Sequence, residues 1–217
     1  IPPETYCVEA IQNAYRHGCR CFDTAEIYSP NLSGTGHNER IVGKALRDVR
    51  QNVVLATKLF LDRSEVRRAG SVYDAIRRHL DGSLDRLQTD MVDLYYLHRT
   101  SGGVSVEEVA EAMDLLLEDG LIRGWGLSQV DVGVIERAQR VTPLTAIQNI
   151  YSMVERDVEK AVIPYCLEHE IGMVPFSPIA SGLLSGKITT ETKFERNDDV
   201  RNWVPQLSRA NIAGNQP

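Results

Sequence analysis

MVDLYYLH, residues 91–98, is an apolar run rich in strand formers that ends in an imidazole, a side chain that core packing does not choose. Two earlier runs end in the same way: CRCFDT (19–24) closes on the carboxylate of Asp23, and NVVLATK (52–58) on the ammonium of Lys58. Helical periods separate the three, so they read as consecutive parallel strands about 4.8 Å apart. In a (β/α) barrel the C-terminal rim of the strands is where catalytic side chains gather. Asp23, Lys58 and His98 are therefore expected side by side. Tyr28, in the loop after the first of these strands, brings a phenol to the same rim. A carboxylate, an ammonium, an imidazole and a phenol together are equipment for proton transfer.

Outward from these runs, helix and strand alternate. ETYCVEAIQNAYRHG (4–18) sets Val8, Ile11, Ala14 and Tyr15 on one helical face and stops at Gly18. AEIYSPNLSGTGHN (25–38) reads as a long loop, and long loops inside compact units are often functional. Asn38 is expected to cap a helix bearing Ile41, Val42, Ala45 and Leu46. Ser71 with Asp74, and Ser105 with Glu108, give capping patterns ahead of two more amphipathic runs. LIRGWGLS (121–128), LTAIQNI (144–150) and GMVPFS (172–177) supply three further strands, with Asp131 and Asp157 expected to cap the helices between them. Six strands, each after a helix and none joined by a hairpin, mean an all-parallel sheet, either a closed barrel or doubly wound. A doubly wound dinucleotide fold carries GxGxxG after its first strand; here that place holds DTAE (23–26), which favours the barrel. From Ile188 onward the period stops, and residues 187–217 read as an extended loop and tail with no strand and no cap.

The 217 residues, 42% hydrophobic and 25% charged, suffice for one sizeable core, and a single domain over 1–217 is expected. A net charge of −6 argues against a nucleic-acid footprint, and no apolar run approaches the roughly 20 residues of a membrane span. No signal segment is read at the start, so cytoplasm is the expected location. Cys7, Cys19, Cys21 and Cys166 form no CxxC and no disulfide framework. Cys19 and Cys21 share a strand face with Asp23 and are expected in the interior rather than on a metal.

SGLLSGKIT (181–189) fails as a P-loop, since Gly182 and Gly186 stand too close and Ile188 follows Lys187. What survives is a Gly- and Ser-rich turn that could offer backbone N–H groups to a phosphate. His169 in HEIG lacks the second His of a zinc helix and reads as a surface residue at a helix end, as do His17 and His79. GWG (124–126) reads as close packing at a strand. For the rim set the plain alternative is a salt bridge between Asp23 and Lys58, with Tyr28 and His98 bonded to nearby backbone. Four such residues at three consecutive strand ends speak against it. A buried Lys58 needs a counter-charge, which Asp23 supplies, and a phenol with a reference pKa near 10 becomes a useful acid when an ammonium favours its phenolate.

FDTAEIYS (22–29), NERIVGKAL (38–46), VVLATK (53–58), VDLYYLHR (92–99), GLIRGWGLS (120–128), AIQNIYSMVERD (146–157) and VPFSPIASGLLSGK (174–187) resemble the aldo-keto reductase superfamily, in the family's order, to about Asn211. The resemblance implies a (β/α)8 TIM barrel that binds NADPH across the C-terminal rim without a Rossmann motif. It implies that Tyr28 protonates a carbonyl oxygen, Lys58 lowers its pKa, Asp23 holds Lys58, and His98 orients the carbonyl. Ser128 and Gln148 would meet the nicotinamide carboxamide, with Gln129 where many relatives carry Asn. Phe176 would stack on the nicotinamide, and Ser177, Ile179, Ser181 and Gly182 match the pyrophosphate loop.

The family's first barrel strand, its eighth strand and the segment that grips the adenosine 2′-phosphate are not found. The first and last strands are thus expected to be missing from this chain, which would be a portion of a polypeptide of roughly 300 residues. The function implied is an NADP-dependent oxidoreductase that reduces aldehydes or ketones to alcohols, with a small-molecule carbonyl as partner, and no nucleic acid, membrane or metal. The alternative is a nucleotide-binding regulatory subunit of the same fold, like the beta subunits of voltage-gated potassium channels, or an inactive remnant. The complete Asp, Tyr, Lys, His set favours the enzyme.

Overall fold

The computed structural model describes residues 2–29, 35–194 and 199–215. Two compact units divide the chain, residues 1–147 and residues 148–217. The first runs α1 (Glu4–Arg16), β1 (Cys21–Asp23), α2 (His37–Leu46), a 3-10 turn (Arg47–Asn52), β2 (Val54–Leu59), α3 (Arg63–Ala69), α4 (Val72–Leu87), β3 (Leu94–Leu97), α5 (Val106–Glu118), β4 (Trp125–Ser128) and α6 (Val132–Gln139). It ends in β5 (Ala146–Gln148), whose last residue opens the second unit. The second continues through a 3-10 turn (Asp157–Lys160), α7 (Val162–Glu168), β6 (Gly172–Met173), short 3-10 turns, and α8 (Arg209–Gly214).

All six expected strands are present, and their order in the sheet is the order in the chain, β1 to β6. That is the topology of a (β/α)8 barrel, short of two strands. The register of β1 to β4 is what positions the site. Asp23 pairs with Ala56, Lys58 with Tyr96, and Tyr96 with Gly126. Since side chains alternate along a strand, Lys58 lies two residues beyond the partner of Asp23 and shares its face. His98 follows Tyr96, and Ser128 follows Gly126, by the same step of two. Gly126 has a steric reason: a Cβ there would meet the Ala146 carbonyl and the Tyr96 ring.

Helices cover the strands through apolar stripes at helical spacing. On α4, Ala75, Ile76, Leu80, Ser83 and Leu87 are buried, and on α5 Val109, Met113 and Leu116. Ser71 accepts from the Asp74 N–H at the start of α4, Ser105 and Glu108 make a reciprocal capping box on α5, and Asp131 caps α6. At the opposite end of the strands Asp93 accepts from Leu55 N and from the Arg50 guanidinium at 2.8 Å, a buried tie remote from the rim.

Six expectations change. Helix α3 was not anticipated, although Asp62 and Glu65 form a full capping box at its start. Helix α2 begins at His37 with Gly36 as its N-cap, two residues before Asn38. Asp157 opens a 3-10 turn, and α7 starts only at Val162 without a side-chain cap. The tail is not capless: Asp199 caps a 3-10 turn and Ser208 caps α8, while Leu207 and Ile212 bury against Ala180, Leu183 and Ile188. Cys21 is exposed and Cys19 half-buried, because β1 has a strand on one side only in the sheet order. His17 and His169 do sit at helix ends, but His79 lies in the middle of α4, bonded to Glu26. Of the long loop after β1, residues 30–34 lie outside the described residues.

Candidate active site

In the first unit the rim residues form one cluster. Lys58, fully buried, donates from Nζ to the Asp23 carboxylate and, at 2.7 Å, to the Thr24 carbonyl. Its ammonium lies 5.2 Å from the Tyr28 ring centre and 5.9 Å from that of Tyr96. Tyr28 and His98 meet edge to face, ring centres 5.7 Å apart. The loop bearing Tyr28 is closed at its base, with Asn38 N donating to the Tyr28 carbonyl and Thr24 Oγ1 to Asn38 Oδ1 at 2.7 Å.

Burial sets the protonation states. It lowers the Lys58 pKa, against the pull of Asp23. It brings His98 down to about 4, with Lys58 and Arg99 adding to the effect, so the imidazole is neutral at physiological pH. The Tyr28 phenol is raised rather than lowered, by burial first and Asp23 second, with Arg99 opposing. The Lys58 ammonium, expected to bring that pKa down, is engaged by Asp23 and the Thr24 carbonyl. At neutral pH the rim therefore presents a protonated phenol and a neutral imidazole beside the Lys58–Asp23 pair. His98 Nδ1 is buried with no hydrogen-bond partner among the described residues.

Arg99 was not singled out from the sequence, yet it ties the cluster to the next strand. Its Nη1 donates to the His98 carbonyl at 2.6 Å and to Ser128 Oγ at 3.0 Å. The only sequence signal was its place directly after the strand-end His. Thr24 was likewise missed, since a backbone carbonyl leaves no mark in sequence. Ser128 is buried, whereas Gln129 is exposed at φ 57°, a left-handed conformation uncommon for a residue with a Cβ.

The remaining cofactor candidates lie in the second unit. Gln148 is buried, and Phe176 is half-buried with its N–H on the Asn149 carbonyl at 3.0 Å. Ser177, Ala180, Ser181 and Gly182 all have positive φ, from 49° to 101°, and Ile179 is exposed. Within this turn Ala180 N donates to the Ser177 carbonyl at 2.8 Å and Gly182 N to the Ile179 carbonyl at 3.0 Å. Non-glycine strain of this kind concentrates at functional sites.

The sequence profile described as the Aldo/keto reductase family matches residues 2–214. The chain belongs to the aldo/keto reductase family. It is 37% identical over 209 residues to the aldo-keto reductase YhdN of Bacillus subtilis, an alignment covering 95% of this chain and 61% of the relative. Among solved structures it is similar to a glycerol dehydrogenase from Gluconobacter oxydans, with a TM-score of 0.83 and 29% identity over 98% of this chain and 65% of the other. It is also similar to an aldo/keto reductase from Klebsiella pneumoniae in complex with NADP and acetate, with a TM-score of 0.71 and 33% identity over 82% and 60% of the two chains. The chain thus spans about three fifths of the length of these relatives.

Proposed function

We propose that this chain is an NADPH-dependent oxidoreductase that reduces aldehydes or ketones to alcohols. The observation that carries the reading is the fully buried Lys58, held by Asp23 beneath a protonated Tyr28 and a neutral His98. Tyr28 supplies the proton to the carbonyl oxygen, and His98 orients that oxygen through its imidazole. Lys58 stabilises the phenolate left behind, so its charge acts most strongly in the transition state, where it helps most. Asp23 fixes the ammonium in place. By the resemblance, Ser128 and Gln129 of the first unit, and separately Gln148, Phe176 and the Ser177–Gly182 turn of the second, are the candidates toward a nicotinamide cofactor. When bound, the cofactor supplies the hydride. The NADP complex of the Klebsiella pneumoniae relative supports the choice of cofactor.

Loss of NADPH absorbance with a panel of aromatic aldehydes tests the reading. Tyr28→Phe should lower turnover by about 10²–10⁴-fold and leave NADPH affinity within a few fold, because the phenol acts mainly in the transition state. NADPH binding by the wild-type chain without turnover would point instead to a nucleotide-binding regulatory protein.

A further inference from the structure

We propose that Glu26, held by His79, is a positioning residue for this cluster; the inference rests on the function proposed above. Glu26 stands between Asp23 and Tyr28 in the chain, is 5% exposed, and uses both carboxylate oxygens. Oε1 accepts from Phe60 N at 3.0 Å and Oε2 from His79 Nδ1 at 2.8 Å. Its own N–H donates to the Lys58 carbonyl at 3.2 Å, and its carbonyl accepts from Gly36 N. One residue thus grips the end of β2 on both sides of Leu59, closes the loop that carries Tyr28, and anchors both to the middle of α4. A shift of Glu26 would move Tyr28 and Asp23 relative to Lys58, and a misplacement of about 1 Å can cost on the order of 10²-fold in rate.

His79 gives this clamp a charge. Its Nε2 lies 3.7 Å from Glu65, so the imidazole stands between two carboxylates, and its pKa is raised chiefly by the bond to Glu26. Arg68 of α3, Arg78 and Arg86 of α4, and Ile27 and Thr35 of the Tyr28 loop line the same cavity of about 480 Å³. Arg86 is engaged by Glu39 at 2.6 Å. As pH rises through the folded-state pKa of His79, the positive charge between Glu26 and Glu65 is lost and the clamp weakens.

The test uses Glu26→Ala and Glu26→Gln, with kcat, KM for an aromatic aldehyde, NADPH affinity, and NMR of Tyr28 Cζ and the Phe60 amide. Glu26→Ala should lower kcat by about tenfold or more with KM and NADPH affinity within about threefold, and should speed Phe60 amide exchange more than tenfold. Glu26→Gln keeps an acceptor for Phe60 N–H, so it should restore kcat to within a few fold while removing the alkaline fall expected of wild type above the His79 pKa. An Ala variant with unchanged kcat, or a Gln variant with the wild-type pH profile, would overturn the proposal. Should Glu26→Ala fail to fold, the Gln profile decides. If the wild-type chain does not turn over, the function proposed above fails, and the NMR arm still judges the clamp: Tyr28 Cζ and Phe60 exchange unmoved by either variant would reject it, and movement of both would support it.

Discussion

The Asp23–Lys58 pair is asymmetric, and this sets its energetics. Lys58 is wholly buried, whereas the Asp23 side chain keeps 32% of its exposure. Asp23→Asn leaves an ammonium buried with little more than the Thr24 carbonyl, a change that should cost about 3–5 kcal/mol. Lys58→Met leaves a carboxylate that water can reach and should cost less, about 1–2 kcal/mol. Chemical denaturation of the two variants checks the order; equal losses would mean that Asp23 is not solvated as the structure indicates. His98 provides a second test at this scale. Its folded-state pKa, about 4, lies below the unfolded value near 6.5, so the unfolded chain binds the extra proton first. Its contribution is present above pH 6.5 and is lost as pH falls towards 4, on the order of 3 kcal/mol in total. His79 has the opposite sign: its pKa is raised, so its contribution is present at low pH and lost as pH rises through the folded value. NMR titration of the two imidazoles should show one midpoint near 4 and one above the ordinary histidine value.

Among the elements, β4 is tightly constrained. Trp125 is fully buried with its indole N–H on the Pro143 carbonyl at 3.0 Å, and Gly126 leaves no room for a methyl group between Ala146 O and the Tyr96 ring. Backbone cannot yield as a flexible side chain does, so Gly126→Ala should destabilise by about 1–3 kcal/mol or more. It should also disturb Ser128, which stands two residues further on the same face and accepts from Arg99. Thermal melting, with the Arg99→Ala variant as a comparison, checks this. A stable Gly126→Ala protein would contradict the register. Helix α1 shows a softer kind of element: of its expected apolar face Val8, Ile11 and Tyr15 are half-buried and Ala14 is exposed, and α1 packs on α2 through contacts such as the exposed Lys44–Glu4 pair. Surface pairs of that kind contribute little.

At the scale of the whole molecule, the second unit has a small core of its own. Leu207 and Ile212 from the tail cover Ala180, Leu183 and Ile188, with Val154, Phe194 and Val204 half-buried around them. This cluster backs the strained turn at Ser177–Gly182, and holding four residues at positive φ requires support from the surroundings. Leu207→Ala with Ile212→Ala should remove about 2 kcal/mol each from the local stability of this unit, expose the turn to proteolysis, and weaken NADPH binding. The His98 midpoint, which belongs to the first unit, should not move. Protease mapping combined with the NMR titration separates the two effects.

The sequence by itself determined the strand and helix order and the chemistry of the rim. Apolar runs of strand formers ending in Asp23, Lys58 and His98, and capping patterns such as Ser105 with Glu108, are written in neighbouring residues, whose spacing follows directly from backbone geometry. Helix α3 was equally written, in Asp62 and Glu65, but its short stripe buries only Val66, which leaves almost no period to read. Tertiary structure alone decided which polar groups meet. Arg99 on Ser128, Lys58 on the Thr24 carbonyl and Glu26 on His79 join residues 29, 34 and 53 positions apart. It also decided the direction of each pKa, including the raised phenol of Tyr28, which the charge of Lys58 alone would have placed lower. The reason is that a charged or polar side chain takes its partner and its proton affinity from what burial leaves beside it, and burial is settled only when distant segments pack.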